Sequence, residues 1–395
     1  MVNPASDSRV TILLLDGVGC GELPDAADYG DTGSNTLANL ARAVGGLDLP
    51  NLARLGLGNI IPIQGVAPQV KPQACFGKMA EQSVGKDSTT GHWEIAGLVT
   101  STPFPVFPHG FPAEFVRSLE KAIDRKVIGN KAASGTEIIK ELGENHLRTG
   151  CPIVYTSADS VLQIACHENV IPPDELYQIC QRARDLCVGR FCVGRVIARP
   201  FAGRPGLFKR TAGRKDFSCA PPQPTLLDNV KEAGQEVVGI GKVDDLFAGR
   251  GFTDTHHSVN NAACLRLTVE AMENTKTGLV FANLVQFDMD WGHRNDPAAF
   301  AVGLREFDDF LPGILDRLER HDLLFITADH GNDPTTPSTD HSREYVPLLA
   351  LGHGFRSGVA LGTRPTFADL GETAAEFLKV KPTVHGTSFL KEIEA

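Results

Sequence analysis

Three apolar runs in this sequence each lead into an acid, and that pattern limits the folds open to the chain. Residues 10–15 lead into Asp16, with Gly17 and Gly19 close behind. Residues 279–285 lead into Gln286-Phe287-Asp288, and residues 323–328 lead into Asp329-His330-Gly331. Short, largely apolar runs rich in β-branched residues and leucine read as strands buried on both faces. A fourth run, residues 346–351, follows the His341 region. Amphipathic stretches lie between them. Over residues 300–320, Phe307, Phe310, Leu311, Ile314 and Leu318 recur at helical spacing. Alternating strands and helices predict an α/β fold with a mostly parallel sheet flanked by helices. Sites in such sheets form beyond the carboxyl ends of the strands, where Asp16, Asp288 and Asp329 fall.

The middle of the chain differs. Residues 102–220 carry strands of their own, expected at 126–129, 152–156 and 193–198, and helices near 112–123 and 173–187. The segment opens on Thr102-Pro103-Phe104-Pro105 and closes on Ala220-Pro221-Pro222-Gln223-Pro224. Paired proline-rich borders predict hinges around an inserted α/β cap. Residues 1–101 and 221–395 then make up the catalytic core.

A formal net charge of −10 argues against partners recognised by bulk charge, such as nucleic acid or an anionic membrane. A phosphorylated small molecule would need local cations, either metals or clustered Arg and Lys. The first ten residues lack the apolar core of a secretory signal, and no apolar run approaches the roughly 20 residues of a membrane span. The nine cysteines include no Cys-x-x-Cys pair, and Cys20, Cys75, Cys166 and Cys264 lie in or beside apolar stretches. That pattern fits reduced core thiols and a cytoplasmic chain.

The chemistry gathers at the strand ends. Asp288 and His293 are spaced Asp-x-x-x-x-His, Asp329 and His330 are adjacent, and His341 follows in Thr339-Asp340-His341. With Asp16 these make three carboxylates and three imidazoles, a mixed donor set suited to manganese or zinc. Six such groups exceed one open catalytic site and suit two ions roughly 3.5–4 Å apart. The stretch Gly85-Lys86-Asp87-Ser88-Thr89-Thr90-Gly91-His92-Trp93-Glu94 adds hydroxyls at an expected helix start. On spacing alone, Ser88 is either the helix N-cap or a nucleophile activated by a metal. The metal ligands by themselves do not separate transfer from hydrolysis, since a phosphatase or phosphodiesterase would use the same set.

That stretch is one of several segments that carry a resemblance over nearly the whole length. The others are Val127 to Glu137, Tyr155 to Gln163, Val193 to Phe201, Ile326 to Pro334 and Thr339 to Pro347. In these segments the chain resembles the bacterial phosphopentomutases, which belong to the alkaline-phosphatase superfamily. More distantly it is similar to the cofactor-independent phosphoglycerate mutases. The resemblance implies an alkaline-phosphatase-like core with one ion on Asp288, His293 and His341. It puts a second ion on Asp16, Asp329, His330 and the hydroxyl of Ser88, the nucleophile. It implies Ser157 and Asp159 on the sugar hydroxyls, and Arg195, Arg210 and Lys242 on the distal phosphate. Two manganese ions, pentose phosphate substrates and a sugar bisphosphate primer such as glucose 1,6-bisphosphate follow from it as expectations. The sequence departs from that pattern in three places. Ser88 stands where phosphopentomutases usually carry Thr, Val285-Gln286-Phe287-Asp288 stands for the usual Val-Asp-Phe-Asp, and His256-His257 are unexpected.

Overall fold

The computed structural model describes residues 8–157 and 160–395. The chain forms two compact units, Met1–Thr102 with Pro221–Ala395, and Pro103–Ala220.

The first unit is built on an eight-stranded sheet. Its order is Asp254–His256, Glu236–Ile240, Gly278–Leu284, Arg9–Leu15, Asp322–Thr327, Val346–Leu351, Cys75–Met79 and Ala360–Arg364. All seven residues of Arg9–Leu15 are buried, as a strand covered on both faces requires. It runs parallel to both neighbours in one register: Arg9 lies opposite Gly278 and Asp322, and Leu14 opposite Asn283 and Thr327. Three strands therefore end level, and the residues that follow them emerge on one edge. The 346–351 run is different. It pairs antiparallel with both of its neighbours. No helix separates Thr327 from Val346, so the chain returns directly and has no crossover to make a parallel pair.

The helix expected over 300–320 spans Pro297–Leu315, with the side chain of Asp296 capping it through the Ala299 amide. It tolerates Pro312 because of a neighbour. Proline has no N–H for the carbonyl of Asp308, and Asn51 Nδ2 donates to that oxygen at 2.8 Å. The buried Asp308 carboxylate in turn accepts from the amides of Asn51 and Leu52 at 3.0 and 2.7 Å, starting the Pro50–Leu55 helix.

The second unit carries a six-stranded sheet in the order Ile128–Ala132, Ile153–Thr156, Val161–His167, Arg195–Ala202 and Lys209–Arg210, with Lys215–Ser218 also on Arg195–Ala202. The helices Ala113–Ile123 and Pro173–Leu186 cover one face through Phe115, Leu119, Leu176 and Ile179 against Val154, Leu162, Ile164 and Val196. The helix Gly135–Thr149 covers part of the other through Ile138 and Ile139 against Ile153, Tyr155 and Phe201. The expected strands at 126–129 and 193–198 lie further on, at Ile128–Ala132 and Arg195–Ala202. Val161–His167, Lys209–Arg210 and Lys215–Ser218 are strands that the pattern did not suggest. Gln163, Arg199 and Lys215 interrupt the apolar signal on the polar part of this sheet.

All nine cysteines are free thiols, with Cys20, Cys75, Cys166 and Cys264 buried. Among the described residues no helix is long and apolar enough to cross a membrane.

Candidate metal centre

The level strand ends of the first unit bring the six predicted ligands together. Asp16 follows Arg9–Leu15, and Gly17 turns the chain at a φ of 76°, so that its amide donates to Asp329 Oδ1 at 3.1 Å. Asp329 and His330 follow Asp322–Thr327 and are 0% and 1% exposed. Asp288 is not on a strand extension. It lies in the π-helix Phe287–Gly292, a wider turn that points Asp288 back at the sheet edge with His293 just behind.

Two clusters result. In one, Asp288, His293 and His341 present donor atoms within 4.8 Å of one another. His293 Nε2 is 3.2 Å from Asp288 Oδ2, and His341 Nε2 is 3.4 Å from Asp288 Oδ1. In the other, His330 Nε2 is the focus: Ser88 Oγ lies at 3.1 Å, Asp329 Oδ2 at 3.3 Å and Asp16 Oδ1 at 3.4 Å. Asp288 belongs to both, since it also falls within 4.8 Å of Asp16 and His330. The His330 and His341 rings lie 4.2 Å apart, so the clusters adjoin.

These residues fit divalent ions. His330 Nδ1 faces the carbonyl of Gly331 at 3.0 Å and His293 Nδ1 that of Thr339 at 2.6 Å. Each ring then carries its proton on Nδ1 and aims the Nε2 lone pair into its cluster, the arrangement of a metal-binding histidine. Asp16 Oδ1 and Asp329 Oδ2 are buried and accept no well-directed hydrogen bond, a state that costs stability unless a cation lies between them.

The electrostatics agree. Burial, then the charge of Asp329, pushes Asp16 up to about 6. Burial alone would raise Asp288 and Asp329, but the facing histidines hold both below the usual carboxylate range. In exchange His293, through its bond to Asp288, is pushed up to about 8, and Asp329 lifts His330 well above its ordinary value against the effect of burial. Protons on imidazole here supply the positive charge that a cation would supply. A bound ion needs neutral His293 and His330 and an ionised Asp16, so binding releases protons. Manganese affinity is therefore expected to weaken as the pH is lowered from about 8 to about 6, by about tenfold per unit for each proton displaced. Calorimetry in buffers of different ionisation enthalpy measures that release.

Ser88 is half-buried as the first residue of the helix Ser88–Ile95. The sequence allowed Ser88 to be the N-cap, but the cap is Asp87, whose carboxylate accepts from the amides of Thr89 and Thr90. The Ser88 hydroxyl is left to the metal cluster. Gly91 sets the approach of this helix. A Cβ there would sit 2.1 Å from the carbonyl oxygen of Asp329. Gly91→Ala should improve helix propensity yet destabilise the protein by about 1–3 kcal/mol through overpacking. Its manganese affinity should fall as the added methyl displaces Asp329, read by thermal melts with and without manganese.

Sequence reasoning passed over the residues that orient the ligands. His92, fully buried, places Nδ1 3.0 Å from Asp329 Oδ2 and 2.8 Å from the carbonyl of Ser88. Asn283 donates to Asp16 Oδ2 at 2.9 Å, and Asn332 to Asp288 Oδ1 at 2.6 Å. An asparagine near the end of the apolar 279–285 run was the available signal. Gln286, the departure from the resembled pattern, accepts from the Asn261 amide and donates to Asp290, bracing the π-helix. The proposed sugar-phosphate contacts are spread over both units. Lys242, exposed, precedes the Val243–Leu246 turn of the first unit with Nζ 3.5 Å from Met289 Sδ. In the second unit, Ser157 follows Ile153–Thr156, Arg195 opens its strand 3.6 Å from Asp216, and Arg210 is exposed on its short strand. Asp159 lies outside the described residues.

Comparison with known proteins fixes the family. A model of the metalloenzyme superfamily matches residues 8–382. Phosphopentomutases of Dictyoglomus turgidum and Dictyoglomus thermophilum are 59% and 60% identical over 386 residues, covering 98% of this chain and 98% of theirs. That of Caldanaerobacter subterraneus is 57% identical over 385 residues, again covering 98% of each chain. The chain belongs to the phosphopentomutase family. It is accordingly an enzyme of the phosphomutase type, in the isomerase class. Its fold is the alkaline-phosphatase-like α/β core expected from the sequence. Leishmania mexicana phosphoglycerate mutase, solved at low cobalt concentration, aligns at a TM-score of 0.50 and 11% identity, covering 100% of this chain and 99% of that one. As a member of this metalloenzyme superfamily, the phosphopentomutase-family chain has in its two clusters the donor groups for divalent metals.

Proposed function

We propose that the chain interconverts ribose or deoxyribose 1-phosphate and 5-phosphate by carrying a phosphoryl group on Ser88. The observation that carries this reading is the convergence of Ser88 Oγ, Asp16, Asp329 and His330 Nε2 on one point, beside a second carboxylate–imidazole cluster. Asp288, His293 and His341 hold one manganese ion, and Asp16, Asp329, His330 and Ser88 hold the other. When bound, the ions lower the pKa of the serine hydroxyl and offset charge on the transferring phosphoryl group.

The chain's own groups do the positioning. Asp87 fixes the helix start and so the direction of the Ser88 hydroxyl. Ser157 and Asp159 hold the sugar hydroxyls, and Arg195, Arg210 and Lys242 hold the phosphate that is not being transferred. The free hydroxyl of a pentose phosphate attacks phosphorus on phosphoserine 88. A new O–P bond forms, the Ser88 Oγ–P bond breaks, and a pentose 1,5-bisphosphate results. After the bisphosphate turns round, the other phosphate returns to Ser88. Residues 102–220 act as the cap that excludes water, since water would hydrolyse the phosphoenzyme. A bisphosphate such as glucose 1,6-bisphosphate supplies the first phosphoryl group, in the cytoplasm.

A phosphate-transfer assay with manganese, that primer and a panel of pentose phosphates tests the reading. Isomer formation well ahead of inorganic phosphate release is the expected result. Release faster than isomerisation would make the chain a phosphatase.

A further inference from the structure

The second unit holds two cysteines side by side at one end of its sheet. Arg195 lies opposite Ser218 on paired antiparallel strands. The residue after Ser218, Cys219, donates its amide to the carbonyl of Gly194 at 2.9 Å and so extends the ladder. Cys192 lies two residues before Gly194, directly after the short turn Gly189–Phe191. The two sulfurs are 2.9 Å apart. A disulfide bond is about 2.05 Å long, so the sulfurs have only about 0.9 Å left to close. Arg184 completes the group from the helix Pro173–Leu186. Its Nη1 donates to the carbonyl of Val193 at 2.6 Å and its Nη2 to that of Cys187 at 2.7 Å, which holds the guanidinium in place. Nη2 also lies 3.7 Å from Cys192 Sγ.

This surrounding sets the two sulfurs apart from the other thiols. The hydrogen bond from Cys219, joined by the charge of Arg184, brings the Cys192 thiol down to about 6 although burial opposes it. The same bond pushes Cys219, its donor, up. Cys192 is therefore mostly thiolate at neutral pH. Cys20, Cys75, Cys166, Cys180, Cys187 and Cys264 are buried, and burial raises each of them. A buried neutral thiol is inert. Cys151 is half-buried, with its sulfur 4.0 Å from the carbonyl of Thr149. Cys192 and Cys219 are half-buried too, so a small molecule can reach them. A reachable thiolate beside a cation and a second thiol has the parts of a redox-active pair.

We propose that Cys192 and Cys219 form a redox site that exchanges with low-molecular-weight disulfides, Cys192 attacking and Cys219 resolving. The Cys192 thiolate attacks one sulfur of the small disulfide. A bond from Cys192 Sγ to that sulfur forms, the small disulfide's S–S bond breaks, and one thiolate leaves. Cys219 passes its proton to the departed thiolate and attacks Cys192 Sγ. The Cys192–Cys219 bond forms and a second thiolate leaves, taking from solvent the proton that Cys192 had given up. The cysteine pair is oxidised by two electrons, and the small disulfide is reduced to two thiols. Excess small thiol reverses both steps. The new bond ties the turn before Arg195 to the residue after Ser218, so oxidation pins the paired strands on which Arg195 and Asp216 lie. The site uses neither metal cluster nor Ser88, and it stands whether or not the mutase reading does.

The test takes the full-length protein, reduced and then freed of reductant, with glutathione disulfide as the probe and peptide mapping by mass spectrometry as the readout. In the wild type, the peptides of Cys192 and Cys219 are expected as one disulfide-linked pair, and excess reduced glutathione should restore both thiols. Cys219→Ser removes the resolving thiol, so a glutathione adduct should accumulate on Cys192. Cys192→Ser removes the attacking thiolate and should slow the reaction of Cys219 about tenfold or more. Iodoacetamide at pH 7 should label Cys192 of the reduced wild type about tenfold faster than Cys151. Cys192 and Cys219 that stay reduced while glutathione settles on Cys151 would overturn the proposal. So would a wild-type adduct that persists on Cys192 beside an intact Cys219 thiol. The wild-type map decides the matter even where a serine variant fails to fold.

Discussion

Ser88→Ala is expected to lower turnover by about 10⁴-fold or more while the protein still folds and still takes up manganese. The geometry makes this a clean substitution. Asp87, not Ser88, caps the helix, so the cap bonds to Thr89 and Thr90 survive. Alanine also suits the first helical turn, and residue 88 is only half-buried. Stability should therefore stay within about 0.5 kcal/mol, the usual range for surface positions. Five of the six carboxylate and imidazole groups of the two clusters keep all their contacts, and His330 loses only its 3.1 Å neighbour. The expected signature is lost turnover beside a near-normal melting curve and near-normal manganese binding. Ser88→Thr should keep substantial activity, since the hydroxyl stays and phosphopentomutases usually carry Thr there. Full turnover in Ser88→Ala would remove Ser88 from the chemistry and leave the fold untouched.

Arg343→Ala is expected to cost about 3–5 kcal/mol of stability, the usual penalty for stripping the partner from a buried ion. Arg343 is 3% exposed and lies two residues past His341. One guanidinium nitrogen donates to Glu81 Oε2 at 2.7 Å and to the carbonyls of Ser83 and Gly85 at 2.8 and 2.6 Å. The other reaches the Glu81 carbonyl and the Asp25 carboxylate, each at 3.1 Å. A single side chain thus ties the loop leading into Ser88 to the segment that carries His341. Burial and the nearby charge of Glu94 push the Glu81 carboxyl up, and Arg343 pulls it down. Without Arg343, Glu81 is protonated more readily when folded than when unfolded. A raised carboxyl contributes stability below its unfolded pKa and loses it as the pH rises through the folded value. The deficit should therefore widen from about pH 5 to about pH 8. Urea unfolding at both pH values measures it. An equal deficit at both would mean that Glu81 stays charged in the variant.

How far the site can be read from the sequence depends on the kind of residue. Asp16, Asp329 and His330 were visible because buried parallel strands appear as nearly continuous apolar runs, which makes an acid at their end conspicuous. Asp288 and His293 were visible by spacing, but the π-helix that aims them was not, since no residue pattern distinguishes its wider turn from a loop. Asn283, Asn332 and His92 look ordinary along the chain. They become orienting groups only when the fold brings separate segments together, as it does Asn283 and Asp16, which are 267 residues apart. Asp87 and Ser88 are both good caps, so only the backbone decided between them. In the second unit, the strands with Gln163 and Lys215 escaped because these polar residues interrupt their apolar signal.

The central claim is that Ser88 carries the phosphoryl group at a two-metal site. The most direct measurement is mass spectrometry of the protein after incubation with manganese and glucose 1,6-bisphosphate. One phosphoryl group on the peptide containing Ser88, lost on adding pentose 5-phosphate as bisphosphate appears, is the predicted result. An unmodified Ser88 in protein that is isomerising its substrate would contradict it.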